Sequence, residues 1–205
     1  MKVPNEIFFT VKTSLLNDKK PSELISSILE GENASVFPFD MLSRLKQTEQ
    51  SPRHHPEGSV WNHTMLVVDE AARVREKSKN AVVFMWTALL HDIGKPDTTR
   101  IRKGKITSYG HEKVGAALAQ KFLNEFSEDT AFIQAVVSLI RWHMQILFVV
   151  NDLPFADIPQ MKRQTDVDEV ALFGLCDRLG RLNPNRKEEE KNIAVFLKKC
   201  CSVNE

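Results

Sequence analysis

The chain has 205 residues, 42% of them hydrophobic, enough to fill one good core with at most a small appended segment. Lys and Arg number 28 against 27 Asp and Glu, and the resulting net charge of +1 provides no bulk electrostatic footprint for a long nucleic acid. The cysteines, Cys176 and the adjacent Cys200 and Cys201, are an odd set without framework spacing; they argue against a disulfide scaffold and fit a reducing cytoplasm.

In chain order, Met1 to Glu6 carries no charged-then-apolar signal pattern. Residues 22–30 predict a short helix closed by Gly31, and residues 40–48 predict another. We read 1–36 as an N-terminal extension and 37–205 as the principal domain. Two prolines and a glycine break the periodicity over 49–58, so His54 and His55 read as loop residues, in a loop placed to wall a pocket. Ser59 is a cap for a helix expected to reach about Lys77, with His63, Leu66, Val67, Glu70, Ala71 and Val74 near one face.

Asn80 caps the next helix, whose stretch 81–90 is apolar all round and therefore central. Gly94 and Pro96 end it. Apolar stretches such as this one fall short of the ~18 residues that span a bilayer, so a soluble, cytoplasmic protein without a membrane partner is expected. Residues 97–110 suit a short hairpin or ordered loop, and helices are expected over 111–125 and 129–145. The run 146–150 reads either as a buried turn or as an exposed contact patch. Asp166 and Glu169 have capping-box spacing for a helix through Asp177, and residues 186–199 predict a charged terminal helix. Trp61, Trp86 and Trp142 read as core. The fold class is all-α.

The chemistry-bearing feature is His91-Asp92, an imidazole and a carboxylate at the end of the most apolar helix. An unpaired buried carboxylate costs several kcal/mol or protonates, so the pair calls for a cation or dense hydrogen bonding. His63, His111, His143 and Asp177 occupy similar helical or helix-flanking positions far apart in sequence. A site built from them must be assembled from several helices, with ligands projecting inward.

The order His63, His91-Asp92, Asp177 resembles the HD-domain metal-dependent phosphohydrolase superfamily. More narrowly, His55-Pro56-Glu57-Gly58-Ser59-Val60-Trp61-Asn62-His63-Thr64, residues 88–95, His111-Glu112 with Gly115-Ala116, Trp142-His143, and Asp177-Arg178 with Gly180-Arg181 resemble the HD domain of bacterial tRNA CCA nucleotidyltransferases. The resemblance covers roughly residues 37 to 182. The Gly-Ser and paired acidic residues of a nucleotidyltransferase head are not found, so the domain is expected to be free-standing.

The resemblance implies an HD-type helical bundle and a divalent ion, Mn, Ni, Co, Fe, Zn or Mg, held by His63, His91, Asp92 and Asp177. His111 and His143 would add a second ion with Asp92 bridging, contact the substrate, or be structural. It implies hydrolysis of a phosphomonoester or 2',3'-cyclic phosphodiester by metal-activated water, with a nucleotide or short RNA or tRNA end as substrate. Asp92 and Lys95 would be catalytic, and Lys95, Arg178, Arg181, His111 and His143 would bind the phosphate; guanidinium forks suit its oxygens. Each cation also has a plainer use: Lys95 at a helix end, and Arg178 and Arg181 paired with Glu188 or Glu189. The competing readings are a diiron HD-type oxygenase, which needs all six ligands, and a non-catalytic nucleotide- or RNA-binding module.

Overall fold

The computed structural model describes residues 3–127 and 129–202, and almost all of its regular structure is helical. In chain order it runs α1 (Pro4–Asn17), α2 (Pro21–Ile28), a 3-10 turn (Gly31–Ser35), α3 (Asp40–Ser43) continuing as 3-10 (Arg44–Gln47), α4 (Val60–Ala72) and a 3-10 turn (Arg75–Lys77). Then come α5 (Ala81–Leu90), α6 (Lys95–Thr98), a hairpin of β1 (Arg100–Arg102) and β2 (Lys105–Thr107), and α7 (His111–Asn124). The remainder is α8 (Thr130–Trp142), α9 (Gln145–Val150), α10 (Ile158–Gln164), α11 (Val167–Leu179) and α12 (Arg186–Ser202).

The all-apolar α5 is the central rod, as its sequence dictates: Asn80 accepts hydrogen bonds from the Val82 and Val83 amides at its start, and residues Val83 to Leu90 are all buried. Helices α1, α4, α8 and α11 pack around it. Ser59 caps α4 through the Asn62 amide, but α4 stops at Ala72 rather than near Lys77. Its last carbonyls are taken up by tight bonds, Arg73 N to Glu70 O and Val74 N to Ala71 O, which narrow the helix into a turn.

The N-terminal residues are drawn into this same core. Pro4 sets the first turn of α1, and Ile7, Phe8, Val11 and Leu15 form its buried stripe. The Phe8 ring stacks on Trp86 at 4.7 Å and on Phe126 at 4.4 Å. Trp61, Trp86 and Trp142 are all buried, as expected.

Two local expectations change. Asp166 caps α11 through the Asp168 and Glu169 amides, but the Glu169 carboxylate does not close a capping box; it accepts from Ser78 Oγ at 2.7 Å and Lys79 N at 2.8 Å, tying α11 to the start of α5. Residues 145–150 form a helix whose Ile146 and Val149 are buried, while Leu147 faces outward. Because α9 follows α8 closely, Thr130–Val150 is long and apolar enough by composition to cross a bilayer, contrary to the count by uninterrupted runs, and half of that window is buried inside the protein.

Candidate metal centre

Five elements deliver one residue each, or an adjacent pair, to one point. His63 lies on α4, His91 caps the C-terminus of α5 with Asp92 in the following turn, His111 opens α7, His143 caps the C-terminus of α8, and Asp177 lies in the last turns of α11. Two glycines permit the approach, and both have ordinary backbone angles. A Cβ on Gly94 would meet His111 O at 2.3 Å and Gly115 N at 2.5 Å, so only glycine lets the start of α7 sit against the His91-Asp92 turn. A Cβ on Gly180 would meet Val67 Cγ2 at 2.4 Å and its Cα at 2.8 Å, so glycine brings the end of α11 against α4.

All four imidazoles are oriented the same way. Each places Nδ1 on a backbone carbonyl: His63 on Gly180 O (3.0 Å), His91 on Ala88 O (3.0 Å), His111 on Ser108 O (2.7 Å) and His143 on Ile140 O (2.7 Å). A carbonyl only accepts, so Nδ1 carries the proton; His91, His111 and His143 turn the Nε2 lone pair inward, the outer-sphere arrangement typical of metal-ligating histidines, whereas His63 Nε2 faces the Asp177 carboxylate at 2.9 Å and is drawn toward the protonated form.

The inward atoms fall into two groups sharing Asp92. His63 Nε2 is 2.9 Å from Asp177 Oδ1 and 3.8 Å from Asp92 Oδ2, and His91 Nε2 is 3.2 Å from Asp92 Oδ2 and 3.9 Å from Asp177 Oδ1. On the other side, His111 Nε2 is 3.4 Å from Asp92 Oδ1 and 3.2 Å from His143 Nε2. Ligand atoms of His63, His91 and Asp92, and again of Asp92, His111 and His143, lie within 4.8 Å of one another.

This donor set fits divalent metal. His91 Nε2 and Asp92 Oδ2 are buried without an aligned hydrogen bond, although Lys95 Nζ is an ion-pair neighbour of Oδ2 at 2.7 Å. Two Nε2 lone pairs facing each other at 3.2 Å between His111 and His143 repel unless a cation or proton lies between them. The protonation states of Asp92, Asp177, His111 and His143 agree, and that of His63 does not. Burial would raise Asp92 and Asp177, but His91 and Lys95 hold the first, and His63 and Arg181 the second, well below the usual carboxylate range. Burial pushes His111 down to about 3, against the pull of Asp92, and it lowers His143 as well, helped by His91. His63 goes the other way: burial opposes its proton, but Asp177 and Glu57 outweigh burial and raise it. Ionised carboxylates and neutral imidazoles are the forms that bind metal.

The cations divide. Lys95 is buried at the centre, with Nζ held between Asp92 Oδ2 (2.7 Å) and Gln50 Oε1 (2.6 Å). Arg181 acts on Asp177 and His55, and its Nε is buried without a partner among the described residues. Arg178, expected at the phosphate, instead pairs with Glu189 of α12 at 2.8 Å and serves as an interhelical strut, its plainer use. One carboxylate had no role assigned from sequence: Glu57 is buried, 2.8 Å from His55 Nδ1 and 3.1 Å from His63 Nδ1. Burial would raise it, but His55 and His63 hold it far below the usual range. The signal for it was no more than an acidic residue two positions after His55 in a Pro-bounded loop. His54 takes no part in these groups.

A family model of the HD domain matches residues 60–182, more than half the chain. The chain belongs to the HD domain family. This HD domain is similar to segments of multifunctional CCA proteins: that of Halorhodospira halophila is 36% identical over 143 residues (69% of this chain, 32% of that protein). The protein of Actinobacillus pleuropneumoniae serotype 5b is 33% identical over 114 residues (55% and 26%), and that of Aromatoleum aromaticum is 30% identical over 175 residues (81% and 40%). The chain thus spans about a third of the length of these curated relatives. The HD name matches residues that meet in space, His91 in one ligand group and Asp92 in both.

Proposed function

We propose that this HD domain is a metal-dependent phosphohydrolase acting on a phosphomonoester or 2',3'-cyclic phosphodiester of a nucleotide or RNA end. The observation that carries this reading is the Asp92 carboxylate, one oxygen facing His63 and His91 and the other facing His111, with the Lys95 ammonium against it. His63, His91, Asp92 and Asp177 would hold one ion, and Asp92, His111 and His143 a second. Mn, Fe, Co, Ni or Zn suit the mixed nitrogen and oxygen donors, and such ions polarise a phosphoryl oxygen and acidify water so that it attacks at neutral pH.

The protein's own groups do the rest. Lys95, steadied by Gln50, and Arg181, with its unpartnered Nε, supply positive charge for the phosphate oxygens. Burial of the donor atoms keeps bulk water from screening these charges. A nucleotide or RNA-end substrate is supported by the similarity to CCA proteins.

The test is elemental analysis of protein purified without added metal, then assays of nucleoside monophosphates and 2',3'-cyclic nucleotides with Mn, Ni, Co and Mg, and oxygen uptake with Fe. Turnover that vanishes in Asp92→Ala supports the proposal and excludes a purely binding module. Oxygen uptake without phosphate release would move the assignment to a diiron oxygenase, and protein that binds no metal and cleaves nothing would sink it.

A further inference from the structure

The chain is nearly neutral as a whole, but its charges are unevenly placed. From Thr98 to His111 there is no Asp or Glu, whereas Arg100, Arg102, Lys103 and Lys105 follow one another closely on the β1–β2 hairpin, all four exposed. None of them pairs with a carboxylate among the described residues, and Asp97, the last carboxylate before the hairpin, is taken by Arg44. Charge of either sign would protect a short hairpin from edge pairing, and this one carries a single sign.

The register sets the cations against one another. Arg100 lies opposite Thr107, Ile101 opposite Ile106 and Arg102 opposite Lys105. Side chains alternate along a strand, so Arg100, Arg102 and Lys105 share one face and Ile101, 75% exposed, belongs to the other. Like charges directly across a ladder destabilise it, a cost that an anion between them removes. Lys103 and Gly104, at φ 50° and 71°, close the hairpin and put a lysine at a tip position that suits asparagine or glycine better. Beside these cations Tyr109 is 70% exposed, with the Arg102 guanidinium over its ring at 5.9 Å.

The base of the hairpin is tied to the metal centre at both ends. Thr99 donates to the Lys95 carbonyl through its amide at 2.9 Å and its hydroxyl at 2.8 Å, and the Ser108 carbonyl accepts from His111 Nδ1 at 2.7 Å. The Thr99 and Ser108 hydroxyls, 2.8 Å apart, join the two ends. Three strand residues cover about 10 Å, so the cations lead away from the centre over the length of about three backbone phosphates.

We propose that this hairpin is a docking surface for a single-stranded polynucleotide, with its cations on successive backbone phosphates and Tyr109 under a base. Cations that track a backbone beside an exposed aromatic ring are how proteins hold single strands. An anionic lipid surface fits less well, because it would call for the cations and Ile101 on the same face. The docking surface stands apart from the chemistry of the metal centre; only the direction of the strand, with its end toward Lys95 and His111, rests on the phosphohydrolase reading.

The experiment is fluorescence anisotropy of a labelled uridine oligomer of about ten nucleotides, titrated with the full chain in chelator over a series of KCl concentrations. Log affinity should fall with log salt at a slope of about −2 to −3, as for three or four phosphates on a single strand. Replacing Arg100, Arg102 and Lys105 together by Gln should weaken binding by about tenfold or more and flatten the slope by about 2. Tyr109→Ala should weaken it about fivefold or more with the slope unchanged. Melting curves and Mn(II) titrations report whether the variants keep the fold and the centre. No binding at low salt, or an affinity and slope unchanged by the triple substitution, would overturn the inference. Binding of vesicles of about one-quarter phosphatidylserine in phosphatidylcholine, with none of the oligomer, would overturn it in favour of a lipid surface. Hairpin-dependent oligomer binding by a protein that hydrolyses no phosphate ester would support it while overturning the phosphohydrolase reading, and mononucleotide turnover without oligomer binding would do the reverse.

Discussion

Asp92 is the residue on which the proposed centre turns, because its two oxygens face different histidine groups and a change there would remove a candidate ligand from both. Asp92→Ala should lower divalent-metal affinity by more than ~100-fold, beyond the loss expected for an outer-sphere partner, as read by calorimetry with Mn(II). A loss below tenfold would show that Asp92 does not bridge. His91-Asp92 was legible as a site because the pair interrupts the most apolar stretch of the chain. Glu57 was not, since a lone acidic residue in a Pro-bounded loop carries no sequence pattern and only the fold brings its carboxylate to His63 Nδ1. Lys95 and Arg178 also separate at this scale: both were expected at the phosphate, and the packing of α12 beside α11 pairs Arg178 with Glu189.

At the scale of elements, the helix starts were readable and the close approaches were not. Ser59, Asn80 and Asp166 each accept amide hydrogen bonds at the start of a helix, as short polar side chains before apolar runs should. Gly94 was read as a helix terminator, yet its backbone is ordinary and the absence of a side chain matters because α7 packs against it. Gly94→Ala should therefore cost about 1–3 kcal/mol in urea unfolding, the range for forcing atoms into a filled space. It should also weaken binding of the second equivalent of metal by displacing His111. An unchanged midpoint would mean that α7 can shift freely. The Glu169 carboxylate likewise left its expected capping box because the Ser78-Lys79 turn lies within reach only in the folded chain.

At the scale of the whole molecule, α1 is part of the core that supports the centre. Phe8→Ala should destabilise the protein by about 3–5 kcal/mol, the usual range for emptying a buried aromatic site, in a single urea transition. A small change, or a separate early transition, would make residues 4–17 an accessory. Acid should also destabilise the metal-free protein. Unfolded, His55 and His111 titrate near 6.5, whereas folded they titrate at about 4 and about 3, so between those values the unfolded chain binds more protons and stability falls as pH falls. Asp92 and Asp177, held low, add to the loss at still lower pH. His63 acts in the opposite sense: its raised value contributes stability below 6.5 that is lost as pH rises through the folded value. Thermal melts of chelator-treated protein from pH 6.5 to about pH 4, where the His63 contribution is already complete, should shift downward, and a flat profile would contradict the depressed values.

The sequence by itself determined the helical class, the central place of residues 81–90 and the prominence of His91-Asp92, because periodicity, caps and a polar break in an apolar run are local properties, while the grouping of His63 and Asp177 with that pair followed from the resemblance to the HD superfamily. Only the tertiary structure decided that His111 and His143 join the tetrad through Asp92 and that Lys95 comes to the centre while Arg178 does not. It also decided that the 49–59 loop brings His55 and Glu57 to the rim. These are distances of a few ångströms between residues far apart in the chain. They are set by which helices can touch, and here that is governed by the missing side chains of Gly94 and Gly180.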